Sequence, residues 1–190
     1  VQLLALNMLD ILPPSEAALP ELIKVLEDPD RTVRLSATYP LVHFGTKARA
    51  AAPILRKWLN SPGDDWSTVI AAGTIARIDP DQVEEMVDIL VANVEKMPPL
   101  AVERIGEIGR AAISAVPLLL DLLNDEWSVM RLSSAEAIHK ITGDPEDALR
   151  ISRELLVAEE WLDRVVGAES LGGLGRFAVE TLPNLRLLMF

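Results

Sequence analysis

The line "RLSSAEAIHKITG" spans Arg131–Gly143, and "RLSATYPLVHFG" spans Arg34–Gly45, 97 residues earlier. Two near-copies of one line imply a repeated element, so self-similarity is read first. With Arg34–Gly45 as a twelve-residue ruler, matching windows begin at Thr68, Pro98, Arg131 and Arg164, at spacings of 34, 30, 33 and 33. The fifth residue is small: Thr38, Ala72, Val102, Ala135, Ala168. The eighth is aliphatic (Leu41, Ile75, Ile105, Ile138, Leu171) and the eleventh large and apolar (Phe44, Ile78, Ile108, Ile141, Leu174). Slots that rise by threes lie on one face of an α-helix. Glycine closes four of the windows, at Gly45, Gly109, Gly143 and Gly175, where a left-handed cap is expected.

A second apolar segment precedes each window. These segments read "LPELIKVL" from Leu19, "APILRKWL" from Ala52, "VEEMVDIL" from Val83, "VPLLLDLL" from Val116, "LRISRELL" from Leu149 and "LPNLRLLM" from Leu182. Their second letters are spaced 33, 31, 33, 33 and 33. Two rulers agree on the period. The repeat is therefore helix, short turn, helix, Gly-marked turn. Proline in the first helix is tolerable only near its first turn or at a shared bend. One such pair cannot bury its apolar face alone, whereas stacked pairs can, which specifies an all-α solenoid.

Composition agrees. Of 190 residues 49% are apolar and only 4% aromatic, a Leu/Ala/Ile/Val mixture suited to packed helices. The 18 basic and 29 acidic residues give a net charge of −11, which argues against a phosphate-backbone binder and favours a cationic partner. Cysteine is absent, so neither a disulfide framework nor a thiolate zinc site exists. No apolar run approaches the roughly 18–20 residues that span a bilayer. The compartment stays open.

The prolines near the start of the first helix (Pro20, Pro53, Pro117, Pro183), the Arg opening the second (Arg34, Arg131, Arg164), the small-residue pair and the closing Gly together resemble short HEAT-like repeats of the phycobilisome-lyase type. The resemblance covers nearly the whole chain. It implies an armadillo-like, right-handed α-α superhelix of about five to six pairs, roughly 12 helices, with the second helices lining the concave face. Pro98 and Thr68 stand where Arg is expected, and two first helices lack proline. Ankyrin and tetratricopeptide signatures are missing. The expected layout is a single array over 1–190: a lone second helix at 1–12, pairs at 15–45, 47–79, 80–109, 110–143 and 144–175, and a lone first helix at 176–190. Ends without partners suggest an interior slice of a longer array, or ends covered by self-association.

The sixth window position lies opposite the buried face and is assigned to the concave surface. It reads Tyr39, Gly73, Glu103, Glu136, Glu169, with three glutamates 33 residues apart. Helices stacked about 8–10 Å apart would make them an acidic ladder. Position 10 reads His43, Arg77, Glu107, Lys140, Gly173. The partner-binding candidates are Tyr39, Arg77, Glu103, Glu107, Glu136 and Glu169. The competing reading is a solvated face with Glu136–Lys140 as an i,i+4 pair. Position 2 (Leu35, Val69, Pro99, Leu132, Val165) is apolar throughout, either buried against the adjacent repeat or the floor of a groove. Trp66, Trp127 and Trp161 each follow an acidic pair at the turn between helices. They read as local capping elements, Trp66 and Trp127 as staples beside N-caps at Ser67 and Ser128, or as an edge that meets another protein or a glycan.

No cofactor or metal site emerges. His43 and His139 fall at unlike window positions, "GDPEDA" at Gly143 lacks calcium-loop spacing, and "LGGLG" at Leu171 has no preceding strand. The expected function is a non-catalytic scaffold that binds a protein or peptide, a basic one as first candidate, with no nucleic acid and no membrane. The alternatives are an accessory repeat region of a larger enzyme and, as the resemblance implies, a bilin-lyase-like enzyme.

Overall fold

The computed structural model describes residues 16–61 and 63–181, with the side chains of 180 and 181 left aside. Among these residues 83% are helical and none is in a strand. The chain divides into two compact units, Val1–Arg104 and Ile105–Phe190.

The first unit holds α1 (Leu19–Val25), α2 (Arg31–Ser36), α3 (Thr38–Phe44), α4 (Ala52–Leu59), α5 (Asp65–Ile78) and α6 (Val83–Ala92); α7 (Pro98–Ile108) contains the division. Only Ala37 separates α2 from α3. Pro40 cannot donate to the Ser36 carbonyl and crowds it, and the Ala37 N–H falls back on the Arg34 carbonyl at 3.2 Å. The pair is one kinked rod. Prolines fall in the first turn of α1 and α4, where the missing N–H costs nothing. Leu41, Leu55, Val69, Ile75, Ile78, Met86 and Leu90 are sealed from water, each worth about 1.5–3 kcal/mol of burial.

The second unit holds α8 (Val116–Leu122), α9 (Ser128–Thr142), α10 (Glu146–Leu156) and α11 (Trp161–Leu174). Pro117 sits in the first turn of α8. Its core joins Leu132 and Ala135 of α9, Ile151 and Leu155 of α10, and Leu171 and Leu174 of α11.

The expected face is buried almost throughout. Ala72, Ile75, Ile78, Val102, Ile105, Ala135, Ile138 and Ile141 are all buried, while Ile108 is half-buried. Ala168 is the exception and is exposed. Its neighbour Gly167 makes the contact instead: a Cβ there would lie 2.8 Å from the Ser152 carbonyl oxygen and 2.9 Å from Leu155 Cβ. The small slot of the last window has moved one residue back because only hydrogen fits that approach.

The closing glycines all have positive φ, and Gly143 takes the left-handed cap (φ 85°, ψ −1°). Gly45 and Gly175 pair φ near 50° with ψ of −134° and −116°, a region open to glycine alone. They lead into 3-10 helices, Gly45–Ala51 and Gly175–Thr181, as Gly109 leads into Gly109–Ala115. A seven-residue 3-10 helix thus replaces three of the expected turns.

The helix count is lower than expected. With the kinked Arg31–Phe44 rod counted once, eight helices of eight residues or more are present among the described residues, against roughly twelve expected. The helices α1 and α8 have only seven residues. Residues 1–12, and the end of the 176–190 segment, lie outside the described residues.

Candidate functional site

Three turns between consecutive helices are fastened by an arginine. Arg34 Nη1 donates to the carbonyls of Asp28 (2.9 Å) and Pro29 (3.0 Å). Arg131 repeats this on Asp125 (3.0 Å) and Glu126 (3.3 Å), and Arg164 on Ala158 (2.8 Å) and Glu159 (2.6 Å). Carbonyls in these turns lie beyond the helix ladder, and a permanent cation five or six residues on supplies them with a donor. Thr68, which departs from the arginine pattern, sends its shorter hydroxyl to the carbonyls of Asp64 (3.2 Å) and Trp58 (3.4 Å).

The expected serine caps are not the caps found. Asp64 caps α5, accepting from the Ser67 N–H at 3.1 Å, and Asp30 caps α2 through the Thr32 N–H at 2.7 Å. A carboxylate is the stronger acceptor for a helix N-terminus. Ser128 instead donates its hydroxyl to Asp163 at 2.7 Å. The three tryptophans take unlike positions on their own helices. Trp66 lies inside the first turn of α5, Trp127 is itself the N-cap of α9, and Trp161 opens α11. All three are exposed, at 44%, 47% and 65%.

Charged side chains about 30 residues apart pair with one another in the first unit. Arg31 meets Asp64 (2.7 Å), Lys96 meets Asp65 (3.4 Å) and Arg49 meets both Asp79 (3.0 Å) and Asp81. Arg56 grips Glu85 with both terminal nitrogens. That hydrogen bond holds the Glu85 carboxyl below its ordinary value. At Asp64 burial pushes the carboxyl up, but the Ser67 hydroxyl and N–H and the Arg31 guanidinium more than offset it, so the net shift is downward. An open cleft of about 490 Å³ beside these pairs is lined by Arg56, Asn60, Asp65, Glu85, Asn93 and Lys96. Its charged groups neutralise one another, which leaves little to recognise a charged ligand.

The candidate column is uneven. Tyr39 is 56% exposed, edge-on to His43 with ring centroids 4.7 Å apart. Gly73 is buried: the stem of Arg104 lies 3.0 Å from where its Cβ would be. Glu103 and Glu169 are exposed, as is Arg77, and Glu107 is half-buried. Glu136 is also half-buried, because the Ser170 hydroxyl donates to it at 2.5 Å. Ser170 lies 3.0 Å from Ser152, which donates to the Ala148 carbonyl. Neither serine nor Arg104 was singled out in sequence. Ser152 in "LRISRELL" and Ser170 in "AESLGG" sit in mixed polar stretches that mark neither as buried. At position 2, Val69 and Leu132 are buried while Val165 is 42% exposed.

Among the described residues no group of three or more His, Cys, Asp or Glu is placed to hold a metal ion. No helix among them is long and apolar enough to cross a membrane. In comparisons with known proteins, no family model matches the chain and no curated protein matches it.

Proposed function

We propose that the chain is a non-catalytic protein-interaction scaffold of HEAT-like repeats in a continuous α-solenoid, which receives a basic protein segment on the exposed side of its second helices. The observation that carries this reading is the contrast within those helices. Their buried faces repeat every 33 residues or so, while Tyr39, Glu103 and Glu169 stand exposed on the side away from the core. A frame that leaves several positions of one side open suits recognition spread over several repeats. The net charge of −11 favours a cationic partner over nucleic acid.

Glu136 differs from its two counterparts, because replacing it also removes the acceptor of Ser170. The test therefore uses Glu103→Lys with Glu169→Lys, titrated with oligolysine at physiological salt by calorimetry. Binding at least tenfold weaker, with unchanged circular dichroism, is expected. Equal affinity in wild type and double variant would retire the reading.

A further inference from the structure

The second unit carries an apolar edge that its own fold does not use. Trp127, Trp161, Leu162 and Val165 are 47%, 65%, 54% and 42% exposed. They lie at the N-terminal ends of α9 and α11. The Ser128–Asp163 hydrogen bond of 2.7 Å holds those ends side by side, and its two residues directly follow Trp127 and Leu162. Three of the four share the first turns of α11, at i, i+1 and i+4. Large side chains gathered at one exposed spot mark an interaction surface, and tryptophan is the side chain most often dominant there.

The surroundings select the occupant. Glu126, Glu159 and Glu160 are exposed next to these residues in the chain. The nearest cations in the chain, Arg131 and Arg164, donate to main-chain carbonyls of the turns and keep their charge, but Asp125, Glu126, Glu159, Glu160 and Asp163 outnumber them. The edge therefore shows carboxylates around apolar surface. An anionic lipid surface would be repelled. A second copy would bring the same acidic rim and a further charge of −11. We infer that this edge docks a basic amphipathic segment of a partner protein, with large apolar residues set on Trp161 and Leu162 and Lys or Arg beside Glu126, Glu159 and Glu160. Charge complementarity supplies orientation and the apolar anchors supply affinity. This goes beyond the second-helix reading, since it concerns the helix N-termini and needs apolar side chains in the partner.

The test compares two dye-labelled probes by fluorescence anisotropy at 0.15 M salt: an amphipathic leucine–lysine helical peptide and oligolysine of equal charge. The leucine–lysine peptide should bind the wild type more tightly. Trp161→Ser with Leu162→Ser should weaken it tenfold or more and leave oligolysine unchanged. Trp127→Ser alone, a milder change, should weaken it severalfold, and so should Glu159→Gln with Glu160→Gln. Equal affinity for the two probes, or no loss in the serine variants, overturns the proposal whatever oligolysine does with the Glu103/Glu169 variant. So does wild-type binding to phosphatidylserine vesicles, or a dimer in sedimentation that the Trp161/Leu162 variant abolishes.

Discussion

At the scale of single residues, glycine separates close packing from free space. Gly167 and Gly172 both belong to α11, five residues apart. A Cβ at Gly167 would run into the Ser152 carbonyl, whereas one at Gly172 would meet nothing within 4 Å. Gly167→Ala should therefore cost about 1–3 kcal/mol by overpacking. Gly172→Ala should gain roughly 0.5–1 kcal/mol, because alanine loses less backbone freedom in a helix. Urea midpoints at constant slope check both. Equal and stabilising shifts would show that α10 and α11 do not approach so closely. Gly106 behaves like Gly167, with Ala137 Cα 2.9 Å from the added carbon. In the sequence these glycines look alike.

At the scale of elements, the N-terminus of α5 couples a cap to a link with α2. Asp64 accepts from the Ser67 N–H and pairs with Arg31, 33 residues away. Its carboxyl titrates below the ordinary value of 3.8 in the folded chain. A depressed folded value means that the unfolded chain binds the proton first. The stabilisation is complete above the ordinary value and is lost as pH falls through the folded one. Asp64→Ala should lose about 1 kcal/mol at pH 7. Asp64→Asn retains a capping oxygen and isolates the charge. Its deficit against wild type should be constant above about pH 5 and should close as pH drops below 3.8. Thermal unfolding from pH 2 to 7 measures this, and a deficit that widens on acidification would contradict the arrangement. Helix α5 also shows where an amphipathic reading stops. Ser67 through Ala76 are all buried, and that run contains no charged residue, a signal present in the sequence.

At the scale of the whole molecule, charge governs what can approach. In the first unit Arg31, Arg49, Arg56, Lys57 and Lys96 are all committed to acids. Exposed pairs of this kind add little stability, and each cancels one acid with one cation, so the excess of 29 acidic over 18 basic residues is left. The remaining field favours basic segments, and it is screened over about 8 Å at physiological ionic strength. Oligolysine binding should therefore fall steeply between 0.05 and about 0.3 M salt. The leucine–lysine peptide should retain more of its affinity, because the part held by the tryptophan edge is apolar. Parallel salt dependence of the two probes would show that charge alone governs both.

The amino-acid sequence by itself determined the period, the helical class, the buried face and the first-turn prolines. Each follows from local pattern: apolar residues rising by threes must turn inward, and a proline without an N–H suits a helix start. It also marked Arg34, Arg131 and Arg164 as recurrent, though not that they bond the carbonyls of the preceding turn. Only the tertiary structure decided which members of a repeating column are open. Gly73 is covered by the stem of Arg104, and Glu136 is held by Ser170, partners 31 and 34 residues away. It likewise moved the close contact from Ala168 to Gly167 and set Trp127 beside α11. Periodicity fixes the direction in which a side chain leaves its own helix; what it meets there belongs to another helix, and only packing brings the two together.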